Sequence, residues 1–322
     1  MRMVPGAWIA AACALFVALP SNSQRSQGTI DDITVTGERP GPGLWRATKD
    51  DHVLWLLGIL QPLPKRMRWH SAQVEAVVAQ SELVLPSRPS ISLGVGPFAM
   101  IGLYFDWRRT AHAPGGATLR EQVPEPLYQR FESLRQAYAP DDSSLENLRP
   151  IAAAQKLFEL AVSASGLVSD DEVEKAVLRL ARRHHVPIRE DQIRIEDPKG
   201  LLAELRTIPL DSELRCLEAT VARLETDLPA LRQRAVAWAV GDVAALRELP
   251  SATRRIACWE AVEMSSRLRG LANAARAHRA ATIEEAVSAH RQSLVLVPVD
   301  QLLAPDGMLA TLRARGFQVD EP

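Results

Sequence analysis

Four polar residues stand where a chain of this pattern could do chemistry. Gln61 follows the apolar run Val53-Leu54-Trp55-Leu56-Leu57 and Gly58. Asp300 and Gln301 follow a second apolar run, Leu294-Val295-Leu296-Val297. Glu196 closes the pattern Ile193-Arg194-Ile195-Glu196. A polar side chain just past the carboxyl end of a buried strand is where α/β proteins place ligands. A carboxylate there can ligate a cation or take a proton. A glutamine amide can only donate and accept hydrogen bonds near neutral pH, because it does not titrate. Gly58, Gln61, Glu196, Asp300 and Gln301 are therefore the candidate pocket, with solvation as the competing reading of Gln61, Gln301 and Asp300, and a cap on the helix starting at Asp197-Pro198 as that of Glu196.

Other constellations are weaker. His184-His185 is the adjacent histidine pair, but neighbours on a helix do not face the same way. A cation at a helix C-terminus accounts for it better than a metal site. His52 fits a surface position at a strand rim. No Ser/His/Asp order, phosphate-cradling loop or zinc spacing of Cys and His is present, and Gly94-x-Gly96 alone is uninformative.

These residues need strands to hold them. Leu44 to Ala47 and His52 to Leu57 read as a hairpin across Lys49-Asp50-Asp51. The second strand is apolar on both faces and should be central. Ser71 is placed to cap a helix through Gln80, with Val74, Val77 and Val78 on one face. Leu83-Val84-Leu85 is a short buried strand stopped by Pro86. Phe98 to Trp107 is strongly apolar and reads as a helix covering the site, or as a docking patch.

From residue 118 to about 290 the pattern is helical. The expected helices span 125–138, 150–165, 172–185, a long segment from Asp211 or Ser212 broken at Pro229, then 242–249, 252–264, 272–281 and 283–290. Ser169 to Glu172 has the form of a capping box. Leu294 to Val297 is a buried strand, 308–315 a helix ended by Gly316, and Phe317 to Val319 a last strand. Strands thus lie at both chain ends and helices between them. The fold class is α/β (α+β): strands from both ends form a mixed core sheet, and a mostly helical middle section caps it.

The first residues read as an address. Arg2, the apolar run Ala7 to Leu19, and the small residues before Ser23/Gln24 form a cleavable signal peptide over 1–23. An uncleaved anchor is the alternative. Residues 24–42 read as a flexible segment and 43–322 as a single domain. The expected location is periplasmic or secreted. Cys216 and Cys258 would then form one disulfide, with two buried thiols as the alternative. A net charge of −1 and pI ≈ 6.7 exclude a large basic face, and with it nucleic acid as a first choice. No later stretch is apolar and long enough to span a bilayer.

Both ends of the chain carry the same resemblance. Gly43-Leu44-Trp45-Arg46, Leu56 through Pro64 and Met67-Arg68-Trp69 at one end, and Leu294 through Val297, Pro305-Asp306-Gly307-Met308-Leu309 and Leu312 through Val319 at the other, resemble the TraB/GumN family. Arg194-Ile195-Glu196 and Trp238 to Asp242 look like internal parts of it. That family and its TIKI-type metallopeptidase relatives imply two Gly-x-x-His motifs and a carboxylate around a divalent metal. Here the corresponding positions are Gln61 (in Gly58-Ile59-Leu60-Gln61), Gln301 (in Pro298-Val299-Asp300-Gln301) and Pro86. Glu82 lies before its strand, in the wrong register. An amide is a weak metal ligand.

The resemblance, set against these departures, implies an exported protein with a degenerate metal site. Its expected role is non-catalytic binding or an accessory task in the cell envelope. No cofactor is expected, and the partner would be a small ligand, a peptide or an envelope protein. The alternatives are a divergent peptidase or hydrolase using Asp300, Glu196 or a histidine from elsewhere, and an envelope assembly partner docking through Phe98 to Phe105.

Overall fold

The computed structural model describes residues 41–322 apart from 66, 251–257, 259 and 262–264. The signal peptide expected over 1–23, most of the flexible segment expected over 24–42 and most of the helix expected over 252–264 fall outside the described residues.

Strands β1 (Leu44–Lys49) and β2 (His52–Ile59) form the expected hairpin, with Lys49 opposite His52. Asp50 takes the left-handed conformation, φ 53°, which a short polar side chain tolerates. Then follow β3 (Leu63–Pro64), α1 (Ala72–Gln80), β4 (Leu83–Leu85), β5 (Ser90–Leu93) and α2 (Pro97–Ala111). The helical section runs through α3 (Leu119–Gln122), α4 (Glu125–Tyr138), α5 (Pro150–Ala164), β6 (Leu167–Val168) and α6 (Glu172–Arg183). It continues with β7 (Gln192–Ile195), α7 (Pro198–Arg206), α8 (Leu210–Thr226), α9 (Leu228–Ala239), α10 (Val243–Glu248) and α11 (Ser266–Ala289). The chain closes with β8 (Gln292–Pro298), α12 (Val299–Leu303), α13 (Met308–Ala314) and β9 (Gln318–Asp320).

The main sheet has the order β4-β8-β2-β1-β9. Strands β4, β8 and β2 are parallel, while β1 and β9 pair antiparallel at the other side. The mixed sheet built from both chain ends is thus the observed core. Side chains alternate between its faces, as the pleat requires. Leu57, Ile59, Val84, Leu294 and Leu296 pack with Val74, Val77 and Val78 of α1, Val177 of α6 and Trp238 of α9. Leu54, Leu56, Leu83, Leu85, Val295 and Val297 pack on the other face with Ile283 and Ala286 of α11 and Leu309 and Leu312 of α13. Both faces being covered explains why β2 and β8 are continuous apolar runs.

A third cluster holds the helical layer together: Phe131 of α4, Leu157 of α5, and Leu217, Val221 and Leu224 of α8. Cys216 of α8 is bonded to Cys258, with the sulfurs 1.98 Å apart. The long helix breaks at Asp227, with Pro229 in the first turn of α9, where its missing N–H costs nothing.

Three features depart from the sequence reading. Residues 272–281 and 283–290 belong to one helix, α11. Strands β5 and β7 form a separate parallel pair, and β3 with β6 another small one. Helix α2 does not cover the sheet: of its described side chains only Leu103 is buried, and Phe98 is 89% exposed.

Candidate functional site

Parallel pairing sends the chain off the sheet at one edge after β2, β8 and β4. Ile59 lies opposite Pro298, and Leu85 opposite Val295. Gln61, Asp300-Gln301 and Pro86 to Arg88 are therefore the residues that follow these three strand ends. Gly58 is inside β2 rather than at a turn. Its carbonyl accepts from Trp238 Nε1 at 2.7 Å. A Cβ there would lie 3.0 Å from Val299 Cγ2, so the missing side chain lets α12 seat against the strand.

Gln61 is bonded at both ends of its amide. Nε2 donates to Asp171 Oδ1 at 2.7 Å and to the Asp170 carbonyl at 2.9 Å. Oε1 accepts from Arg88 Nη2 at 2.8 Å. This amide orientation is the one its partners require, because a guanidinium only donates and a carboxylate only accepts. Asp171 precedes α6 at its N-cap position, yet its side chain makes no capping bond. The capping box expected over Ser169 to Glu172 does not form: the helix starts two residues later than such a box requires, Asp171 is engaged by Gln61, and Glu172 accepts from Lys175. Pro86 is buried, and next to it Ser87 Oγ donates to Glu174 Oε2 of α6. The loops after β2 and β4 are thus tied to each other and to the start of α6.

Asp300 stands in the first turn of α12. Its Oδ1 accepts from Arg234 Nη2 at 2.6 Å, and Arg234 is 2% exposed. Arg234 also donates through Nη1 to the carbonyls of Leu246 and Leu249. Burial pushes this guanidinium down from its ordinary value, and the Asp300 charge opposes the shift. Gln301 is exposed. Glu196 sits apart from this edge: it follows β7 in the small sheet, is exposed, and pairs with Arg194 at 2.9 Å. His184 ends α6, with Nε2 3.1 Å from Glu75 Oε1, and His52 Nδ1 lies 2.9 Å from the His290 carbonyl.

Further polar groups at the sheet emerge only from the fold. Arg279 of α11 donates through Nη2 to the carbonyl of Leu296 in β8 at 3.1 Å. Its Nη1 lies 3.2 Å from Asp191 Oδ2. Burial pushes Arg279 down, and Asp191 and Glu174 oppose it. Asp191, 4% exposed, also accepts from Thr282 Oγ1 at 2.7 Å and lies 3.3 Å from His278 Nε2. A signal was present: His278, Arg279 and Thr282 are spaced to share one side of a helix. Their partner lies some 90 residues away and could not be read locally.

This edge can hold polar groups by hydrogen bonds from amide, hydroxyl and guanidinium groups. Asp171, Glu174, Asp191 and Asp300 each already accept from a donor. Among the described residues no three His, Cys, Asp or Glu side chains are grouped closely enough to hold a metal ion.

Two clefts among the described residues lie away from this edge. One, of about 1000 Å³, lies beside α2 and is lined by Phe105, Arg108, Arg109, Arg206, Leu210 and others. A second, of about 660 Å³, runs between α2, α5 and α8 past Trp107, Phe158 and the disulfide. No helix among the described residues is long and apolar enough to cross a membrane.

Compared with known proteins, residues 43–321 match the family model described as the TraB/PrgY/gumN family. No curated protein and no solved structure matches the chain.

Proposed function

Because this chain belongs to the TraB/PrgY/gumN family, we propose that its sheet-edge site binds a ligand instead of hydrolysing one through a metal. The protein would be exported, with an accessory binding role in the cell envelope. The observation that carries this reading is the state of Gln61. Its amide bridges Arg88 and Asp171 at the position where the family resemblance implies an imidazole. A divalent cation does not suit this donor set. Arg88 brings a positive charge to the edge, Arg279 brings another to β8, and the carboxylates nearby are engaged. Arg88 is exposed and keeps guanidinium donors beyond the one given to Gln61, which suits a ligand carrying carboxylates or peptide carbonyls.

The hydrolase alternative draws no support from its named residues. Asp300 neutralises a buried arginine, and Glu196 is an exposed partner of Arg194. The test is turnover of peptide and ester substrates by the purified chain, with and without added zinc or manganese. The expected result is no hydrolysis above buffer. Metal-dependent turnover abolished by Gln61→Ala would overturn the proposal.

A further inference from the structure

Helix α2 is exposed in a way that its composition does not ordinarily allow. No charged residue occurs from Pro97 to Phe105. Phe98, Ile101 and Phe105 are 89%, 60% and 53% exposed, and Met100, Tyr104 and Trp107 are 44%, 53% and 56% exposed. The first three recur at i, i+3 and i+7, and the second three at i, i+4 and i+7. These are two neighbouring stripes, and both are bare. A helix that docks in a protein groove presents one such stripe. A lipid surface wets the wider face and needs no complementary shape.

Charge follows the apolar segment directly. Arg109 Nη2 lies 3.0 Å from Asp106 Oδ1, and Arg206 Nη2 lies 3.8 Å from the same oxygen, so one carboxylate serves two guanidinium groups. Arg108 has no acidic partner among the described residues. Arg108, Arg109 and Arg206 all line the cleft of about 1000 Å³ beside the helix, with Arg149, whose charge Glu213 neutralises. Tyr104, Phe105 and Trp107 lie toward the arginine end of the helix, and Phe105 lines the same cleft as the arginines. An apolar face flanked by aromatic rings and cations is the composition of a segment that lies in a bilayer interface.

We infer that α2 docks this protein on an anionic lipid bilayer. Phe98, Met100 and Ile101 enter the acyl boundary, Tyr104, Phe105 and Trp107 sit at headgroup level, and Arg108, Arg109 and Arg206 meet the acidic headgroups. The inference is independent of the sheet-edge site.

Vesicle flotation tests it, with phosphatidylcholine alone and with phosphatidylglycerol added. The chain should float with the anionic vesicles, weakly with the neutral ones, and less as salt rises. Arg108→Glu with Arg109→Glu should lower the anionic partition by about 30-fold or more. Phe98→Asp with Ile101→Asp should abolish flotation on both, with circular dichroism unchanged because the replaced side chains are exposed. Anionic vesicles should also blue-shift the tryptophan emission, and Trp107→Phe should remove most of that shift. Absence of flotation on both compositions would overturn the inference, as would flotation unaffected by Phe98→Asp with Ile101→Asp. So would light scattering showing a dimer that those substitutions dissolve, since a second copy would then be the occupant of α2.

Discussion

Arg234 in α9 and Asp300 in α12 form an ion pair of 2.6 Å that joins the helical section to the end of β8. The guanidinium is buried, while the carboxylate retains 19% exposure. Removing one partner of such a pair leaves an uncompensated charge, which costs far more than the pair itself is worth. Asp300→Ala should lower stability by about 3 kcal/mol, read from urea unfolding. Asp300→Asn, which keeps an acceptor near Arg234, should lose less. An Asp300→Ala protein of unchanged stability would return this carboxylate to the list of catalytic candidates.

The Cys216–Cys258 bond closes a long loop, with a sequence separation of 42. In the chain-entropy account, restricting the unfolded chain over that length is worth about 4 kcal/mol. Reduction with a thiol, or Cys258→Ser, should shift the urea midpoint downward by a corresponding amount. The layer carrying Leu217, Val221 and Leu224 should lose amide protection before the main sheet does, because the bond anchors α8 and not the strands.

Acid should weaken the helical layer. The Arg135 hydrogen bonds hold Glu132 below the ordinary glutamate value of 4.5, and those from Arg130 do the same for Glu225. A carboxyl group whose folded value is depressed contributes stability that is present above its unfolded value and is lost as pH falls through the folded one. The thermal midpoint should therefore change little between about pH 7 and pH 5 and fall below about pH 4.5. Glu132→Gln should lower stability at neutral pH and flatten the acid slope. A slope identical to the parent's would remove this pair from the account.

How much of this was legible depended on the range of each interaction. The β1–β2 hairpin follows from local chemistry, since Asp50-Asp51 turns the chain and the apolar run beyond it needs cover on both faces. Pro229 announced the break between α8 and α9 in the same local way. The parallel pair β5–β7 was hidden because each strand is short and its partner lies about a hundred residues distant. For that reason Glu196 could be put at a strand end, but not on the correct sheet. Thr282, a poor helix former, interrupts the helical pattern of α11 in the sequence, while in the fold its hydroxyl donates to buried Asp191 and the helix continues. At the site, the strand ends bearing Gln61 and Asp300 were readable. Their partners Arg88 and Arg234 were not, because arginines are mostly surface residues and nothing local marks one that is buried or bridging.

If Gln61 and its neighbours stand in place of metal ligands, the metal content of the purified chain will show it. No stoichiometric transition metal should remain after preparation without chelators, and the Gln61→His, Gln301→His variant should gain little, since a positive charge remains at Arg88 and Pro86 supplies no carboxylate. One tightly held transition metal per chain in the unaltered protein would contradict it.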